Sequence, residues 1–130
     1  MSQFAPIRRL AVRAAAVDAS LLLGFAAIGR VNHDEGLTLS GVFGVAWPFL
    51  TGWAIAFFAS GLSRDPLSPR RATLAWAVML PLAIVGRRIS GRGNDPAFVI
   101  VAATFTLACL AGWRALATIR RRYLSADQAG

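Results

Sequence analysis

Asp18 is the residue whose type and position most strongly suggest chemistry, because it is the one acidic side chain within the apolar run Ala14–Gly29. A carboxylate is costly inside a membrane, where it commonly pairs with a basic side chain or binds a proton or cation. Arg13 precedes it by about one helical turn, and further arginines follow in the segment 64–71. The sequence leaves two interpretations of Asp18 open: a structural ion pair with one of these arginines, or a proton or cation site.

A second charged group surrounds the segment RRISGRGND, residues 87–95, which has three arginines in six positions between two apolar stretches. If four helices alternate across a membrane, the polar turn NHDEG at 32–36 lies on the same side as this segment. That side then contains four arginines, Arg30, Arg87, Arg88 and Arg92, and three acids, Asp34, Glu35 and Asp95. The pattern predicts either a cap of paired charges or a site for an anion or a lipid headgroup. A simpler alternative is that the arginines only extend to the headgroups.

Other combinations of reactive residues are weak. One histidine, His33, and one cysteine, Cys109, cannot form a zinc site, because they are about a whole helix apart in depth. Gly91-x-Gly93 follows no predicted strand and lacks the lysine of a phosphate-binding loop. No nucleophile and base occur at a recognisable spacing. We therefore expect no enzymatic activity, no metal and no cofactor.

The composition indicates a membrane protein. Of the 130 residues, 56% are hydrophobic and only 15% are charged, and the mean hydropathy is +0.56. The charges are clustered, so that long runs such as Gly36–Ser63 and Pro96–Trp113 contain none. A helix needs roughly 20 apolar residues to cross a bilayer, so that four spans fit. The net charge of +8 comes from arginines at the ends of these runs, where anionic lipid headgroups rather than nucleic acid are the expected counterions.

The pattern predicts an all-α fold, an integral membrane bundle of four transmembrane helices in a single domain over 1–130. The predicted helices cover about 10–31, 39–62, 69–88 and 96–122. Ser68 and Asp95 are predicted N-caps, each followed by a proline at the first helical position. The final segment LSADQAG is predicted to be a loose end.

Orientation follows from the arginines, which are enriched in cytoplasmic loops. With four spans, ten of the fourteen arginines share the side of both chain termini and four lie on the other side. The tally predicts a multi-pass protein of the cell membrane with both termini cytoplasmic. The segment 87–95 then faces outward despite its charge.

Small residues at a spacing of four predict close contacts between helices, since packing rather than water drives helix association in lipid. The second helix contains such a ridge, composed of Gly44, Pro48, Gly52, Ala56 and Ser60. The fourth helix contains a shorter one, composed of Thr104, Ala108 and Gly112. Both ridges are predicted to contact other helices.

Four segments together resemble a known family. FAAIGRVNHDEGLTLSG, AWPFLTGW, GRRISGRGNDPAFVIVA and LAGWR, in this order, are similar to the bacterial and archaeal membrane proteins known as domain of unknown function 3054. The resemblance covers roughly 18–114 and implies a small multi-helix membrane protein. It implies no catalytic residue, because none is established for the family. The residues on the matching motifs are Asp18, Arg30, His33, Glu35, Arg87 and Ser90.

Two classes of function fit these observations. The first is a small transporter or channel with an arginine-rich outward mouth, which would need a homo-oligomer because four short helices leave little room for a pore. The second is a non-catalytic accessory or assembly subunit of a membrane complex. In either class the partners are the lipid bilayer and either further copies of the chain or another membrane protein.

Overall fold

The computed structural model describes residues 4–130, which form four helices and no strands. The helices are α1, Phe4–Asn32; α2, Leu39–Ala59; α3, Pro69–Ile89; and α4, Pro96–Ala129. Each is long and apolar enough to cross a membrane. The predicted fold class, an all-α membrane bundle of four helices, is confirmed.

The helices form a closed ring. Each packs against its neighbours in sequence, and α1 also packs against α4. Because the connecting segments are short, consecutive helices run antiparallel. Both chain termini and the α2–α3 loop, residues 60–68, therefore lie at one end, called here the terminal end. The α1–α2 and α3–α4 loops lie at the opposite end, called here the two-loop end.

Local capping sets three of the helix starts. Ser68 Oγ accepts a hydrogen bond from Arg71 N at 3.2 Å, and Asp95 Oδ1 accepts one from Ala97 N at 2.8 Å, so both predicted caps are confirmed. Thr38 Oγ1 caps α2 in the same way, at 3.1 Å from Gly41 N. Each contact satisfies a backbone donor that the first turn of a helix leaves without a partner.

The contact between α2 and α3 depends on small residues. Gly52 is buried, and a Cβ there would lie 2.9 Å from the carbonyl oxygen of Met79. A Cβ on Gly86 would likewise lie 3.0 Å from Pro48 Cβ. Two backbones therefore approach where no larger side chain would fit. The predicted ridge on α2 is confirmed as a helix contact.

The predicted ridge on α4 is wrong as a contact within the bundle. Thr104 and Ala108 are exposed, and a Cβ on Gly112 would have no neighbour within 4 Å. The buried residues of α4 are instead Ala102, Thr106, Leu110 and Arg114, which also recur every four positions. The helix therefore packs through a face adjacent to the ridge. The spacing of small residues alone does not determine how the helix is rotated about its axis.

Two helices are longer than predicted. Helix α1 begins at Phe4 rather than near residue 10, and α4 continues to Ala129, so the final segment is helical and not a loose end. Residues 123–129 contain neither glycine nor proline, and most are good helix formers. The 34 residues of α4 span roughly 50 Å at 1.5 Å per residue, well beyond the ~30 Å of a hydrocarbon core.

Candidate functional site

The strongest polar contact in the described chain joins Asp18 on α1 to Arg114 on α4, and both side chains are 0% exposed. Arg114 Nη2 lies 2.6 Å from Asp18 Oδ2, and Arg114 Nη1 lies 2.8 Å from Oδ1. The guanidinium therefore binds both carboxylate oxygens, the geometry in which arginine pairs most strongly with an acid. Of the two interpretations of Asp18, the geometry agrees with the ion pair. Its partner is neither Arg13, which is exposed, nor an arginine of the α2–α3 loop.

The remaining bonds of the pair reach further parts of the bundle. Arg114 Nε donates to the carbonyl oxygen of Pro66 in the α2–α3 loop at 2.7 Å, and Nη1 donates to Leu110 O at 2.7 Å. The indole N–H of Trp113 donates to Asp18 Oδ1 at 3.0 Å. One buried guanidinium thus joins α1, α4 and the α2–α3 loop at the terminal end. Each oxygen of the carboxylate already accepts a strong bond, so a cation could bind there only if the pair separated.

Arg30 likewise joins two segments of the chain at the two-loop end, but it does so at the surface of the protein. Its Nη1 lies 3.0 Å from Glu35 Oε2, while Nε donates to Gly36 O at 2.9 Å and Nη2 to Glu35 O at 2.7 Å. The guanidinium also occupies the space above Gly41 that a Cβ would fill. Arg30 therefore fixes the α1–α2 turn against the start of α2.

Arg87 is only 8% exposed and has no acidic partner among the residues that the structure describes. Its Nη2 donates to Gly93 O at 2.9 Å, and its Cζ lies 3.7 Å from the ring centroid of Phe98. Its Nε lies 3.4 Å from Asn94 Oδ1, a longer contact, and Asn94 Nδ2 donates to Ile84 O at 3.0 Å. The α3–α4 loop is therefore folded over Arg87 by backbone, amide and aromatic contacts.

The other residues of this predicted site do not form a network. Arg88, Asp34 and Asp95 are exposed, and Asp95 caps α4. Arg92 is half-buried, and its Nη2 lies 3.3 Å from the position of a Cβ on Gly44. The structure thus pairs Arg30 with Glu35, and within residues 4–130 the remaining charges of the group form no further ion pair. Over residues 4–130, His33 is exposed and no three metal-ligating side chains form a group.

Sequence reasoning missed the residue that completes the buried site. The arginine tally places Arg114 among the charges at the end of the fourth helix, although α4 continues for fifteen residues beyond it to Ala129. A usable signal is that Arg114 continues the four-residue spacing of Ala102, Thr106 and Leu110. A buried arginine needs hydrogen-bond acceptors, and Asp18 is the one acid within a predicted span.

Comparison with known sequences gives one match. The family described as protein of unknown function (DUF3054) matches residues 15–117, which include the Asp18–Arg114 pair and both loops of the two-loop end. No curated protein and no solved structure matches the chain.

Proposed function

The chain belongs to the DUF3054 family of proteins of unknown function, and we propose that it acts as a non-catalytic accessory or assembly subunit within a membrane complex. The observation that carries the proposal is that four charged side chains of the helices all bind within the same chain. Asp18, Arg114, Arg87 and Arg30 are each bonded to other parts of the same chain.

Transport usually requires that a charged side chain be available to a substrate or proton, or that it change partners. Here Arg114 makes four hydrogen bonds to three different parts of the bundle. Releasing it would expose a buried carboxylate and free the α2–α3 loop. Such saturated contacts support a rigid scaffold rather than a cycle of binding and release.

The proposed location is the cell membrane, with the terminal end in the cytoplasm. The excess of arginines at that end supports this orientation. A fluorescent reporter fused at Gly130 is then expected to fold in the cytoplasm, and Asn32→Cys to react with an impermeant thiol reagent from outside. If Asn32→Cys reacted only after permeabilisation, the two-loop end would lie in the cytoplasm and the proposed orientation would be wrong.

A second candidate is a homo-oligomeric anion transporter. Arg88 and Arg92 at the two-loop end favour it, because neither has an acidic partner among the described residues. Several copies arranged around an axis would bring these guanidinium groups together at one mouth. An anion transporter of this kind requires that the anion flux depend on Arg88 and Arg92.

One preparation distinguishes the two functions. The full chain, tagged at Gly130, is purified from native membranes in mild detergent, and its mass and subunit composition are measured. The same protein is reconstituted into liposomes, and chloride, phosphate and proton fluxes are recorded. An accessory subunit predicts a second polypeptide in fixed stoichiometry and no flux above that of empty liposomes.

A homo-oligomer with anion flux would contradict the accessory role. In that case Arg88→Gln and Arg92→Gln should reduce the flux, whereas Arg64→Gln, an exposed arginine at the terminal end, should leave it unchanged. Flux that is insensitive to all three changes would exclude the arginine mouth as well.

A further inference from the structure

Three exposed arginines near the start of α1 line an open depression of about 410 Å³ at the terminal end, called here the charged cavity. Its lining consists of Arg8, Arg9 and Arg13 together with Ala5 and Val12. None of the three arginines forms an ion pair within the described part of the chain. The cavity therefore concentrates positive charge that no side chain of the bundle neutralises.

A second cavity, of about 420 Å³, adjoins the first between α1 and α2. Its lining is mostly apolar and comprises Ile7, Arg8, Ala11, Val12, Ala15, Trp53, Ala54, Phe57, Phe58 and Ser63. Arg8 and Val12 line both cavities, so the charged and apolar spaces are adjacent. Each has the size usual for a ligand site.

Trp53 in the wall of the apolar cavity adds an independent observation. The residue is 9% exposed, and its indole Nε1 is buried without a hydrogen-bond acceptor among the described residues. A buried donor without a partner is unfavourable, and tryptophan normally finds an acceptor. A ligand oxygen in the cavity would supply one after a rotation of the indole.

We propose that the two cavities bind one anionic phospholipid. Its phosphate contacts the guanidinium groups of Arg8, Arg9 and Arg13, one acyl chain lies along Val12 and Phe57, and an ester carbonyl accepts from Trp53. A free anion would fill only the charged cavity, and a neutral apolar molecule only the other. An amphiphile with a negative head matches both, because the two cavities meet at Arg8. This site is independent of the proposed accessory role.

The test uses the full-length protein in a neutral detergent to which dioleoylphosphatidylglycerol, dioleoylphosphatidylcholine or inorganic phosphate is added. Bound lipid is counted by native mass spectrometry, and the thermal unfolding midpoint is recorded for each addition. The expected result is one tightly retained phosphatidylglycerol and a rise in the midpoint. Phosphatidylcholine should be retained more weakly, and inorganic phosphate, which occupies only the charged cavity, should raise the midpoint less than phosphatidylglycerol does.

Two variants with matched controls locate the site. Arg8→Gln should weaken phosphatidylglycerol binding about fivefold, the effect expected for removing one basic residue from contact with an anionic lipid. Arg120→Gln, which removes one exposed charge from the same end, should not weaken it. Ala54→Phe should fill the apolar cavity and abolish retention, whereas Ala77→Phe, an equal enlargement at an exposed position of α3, should not.

The site also predicts a spectroscopic change. Adding phosphatidylglycerol should alter the tryptophan emission of the protein, and Trp53→Phe should remove most of that change. Equal retention of the two lipids would overturn the proposal, since the chain would then only collect surrounding lipid. A midpoint rise with inorganic phosphate as large as that with phosphatidylglycerol, or loss of binding in Ala77→Phe as well as Ala54→Phe, would overturn it too.

Discussion

Replacing Arg114 by methionine should strongly destabilise the bundle. Methionine is similar in length and preserves much of the packing, but it leaves Asp18 as a buried carboxylate with one remaining bond, from Trp113 at 3.0 Å. The carbonyl of Pro66 also loses the donor that lies 2.7 Å away. Removing one partner from a buried ion pair costs about 3–5 kcal/mol, so we expect a loss of that size in the free energy of unfolding.

The opposite change should also be costly. In Asp18→Asn, Arg114 keeps the carbonyls of Pro66 and Leu110 and can still donate to the asparagine oxygen. The asparagine NH₂ group, however, is a donor facing the guanidinium, and Arg114 remains a buried cation without a counter-charge, so we expect a loss of about 3–5 kcal/mol here too. The double variant should be less destabilised than the sum of the two single variants, with a coupling of about 0.5–3 kcal/mol between contacting residues.

The assay is reversible unfolding in mixed micelles with increasing denaturing detergent, followed by circular dichroism. Arg120→Met is the matched control, because Arg120 is exposed on the same helix, and its effect should stay within about 0.5 kcal/mol. If Arg114→Met cost no more than Arg120→Met, the pair would behave as a solvated surface contact. The structural role assigned to it would then be wrong.

Two further predictions concern the α2–α3 contact and the two-loop end. Gly52→Leu would force a side chain against the Met79 carbonyl, so the free energy of unfolding should fall by at least the roughly 1–3 kcal/mol of ordinary overpacking. Thr51→Leu, at an exposed position of the same helix, should be neutral in the same unfolding assay. Arg87→Lys should lower the thermal midpoint nearly as much as Arg87→Ala, because an ammonium cannot both stack flat on Phe98 and hold the loop. Exposed Arg88→Lys should change nothing, and full tolerance of Arg87→Lys would mean that Arg87 only extends to the headgroups.

Much of the fold was predictable from the sequence because lipid imposes simple rules. Apolar length determines the number of spans, and a polar residue before proline marks a helix start, as at Ser68 and Asp95. Rotation of a helix about its axis is less constrained. On α4, two stripes of residues are spaced by four, and the buried one is the stripe that places the guanidinium of Arg114 against Asp18.

The charges near Asp18 in the sequence do not identify its partner. Arg13 is near in sequence, but residues five apart on a helix do not face each other as closely as those three or four apart. Arg114 is 96 residues away and reaches Asp18 because the ring of helices places α4 beside α1. Arg87 poses a similar difficulty, since its partners are a backbone carbonyl, an amide and a ring rather than an acid.

The two buried arginines also change how the arginine tally predicts the orientation of the protein in the membrane. The tally of ten arginines against four treats every arginine as a solvated charge, yet Arg114 is neutralised by Asp18 and Arg87 is covered by the α3–α4 loop. Removing Arg114 from the ten leaves nine, and removing Arg87 from the four leaves three, so the excess at the terminal end becomes relatively larger. Part of the charge in RRISGRGND, which opposes the proposed orientation, is thus used to fold a loop. An arginine held by carbonyl and aromatic contacts at one end of a bundle should affect insertion less than one exposed to headgroups, which supports the proposed outward orientation of this segment.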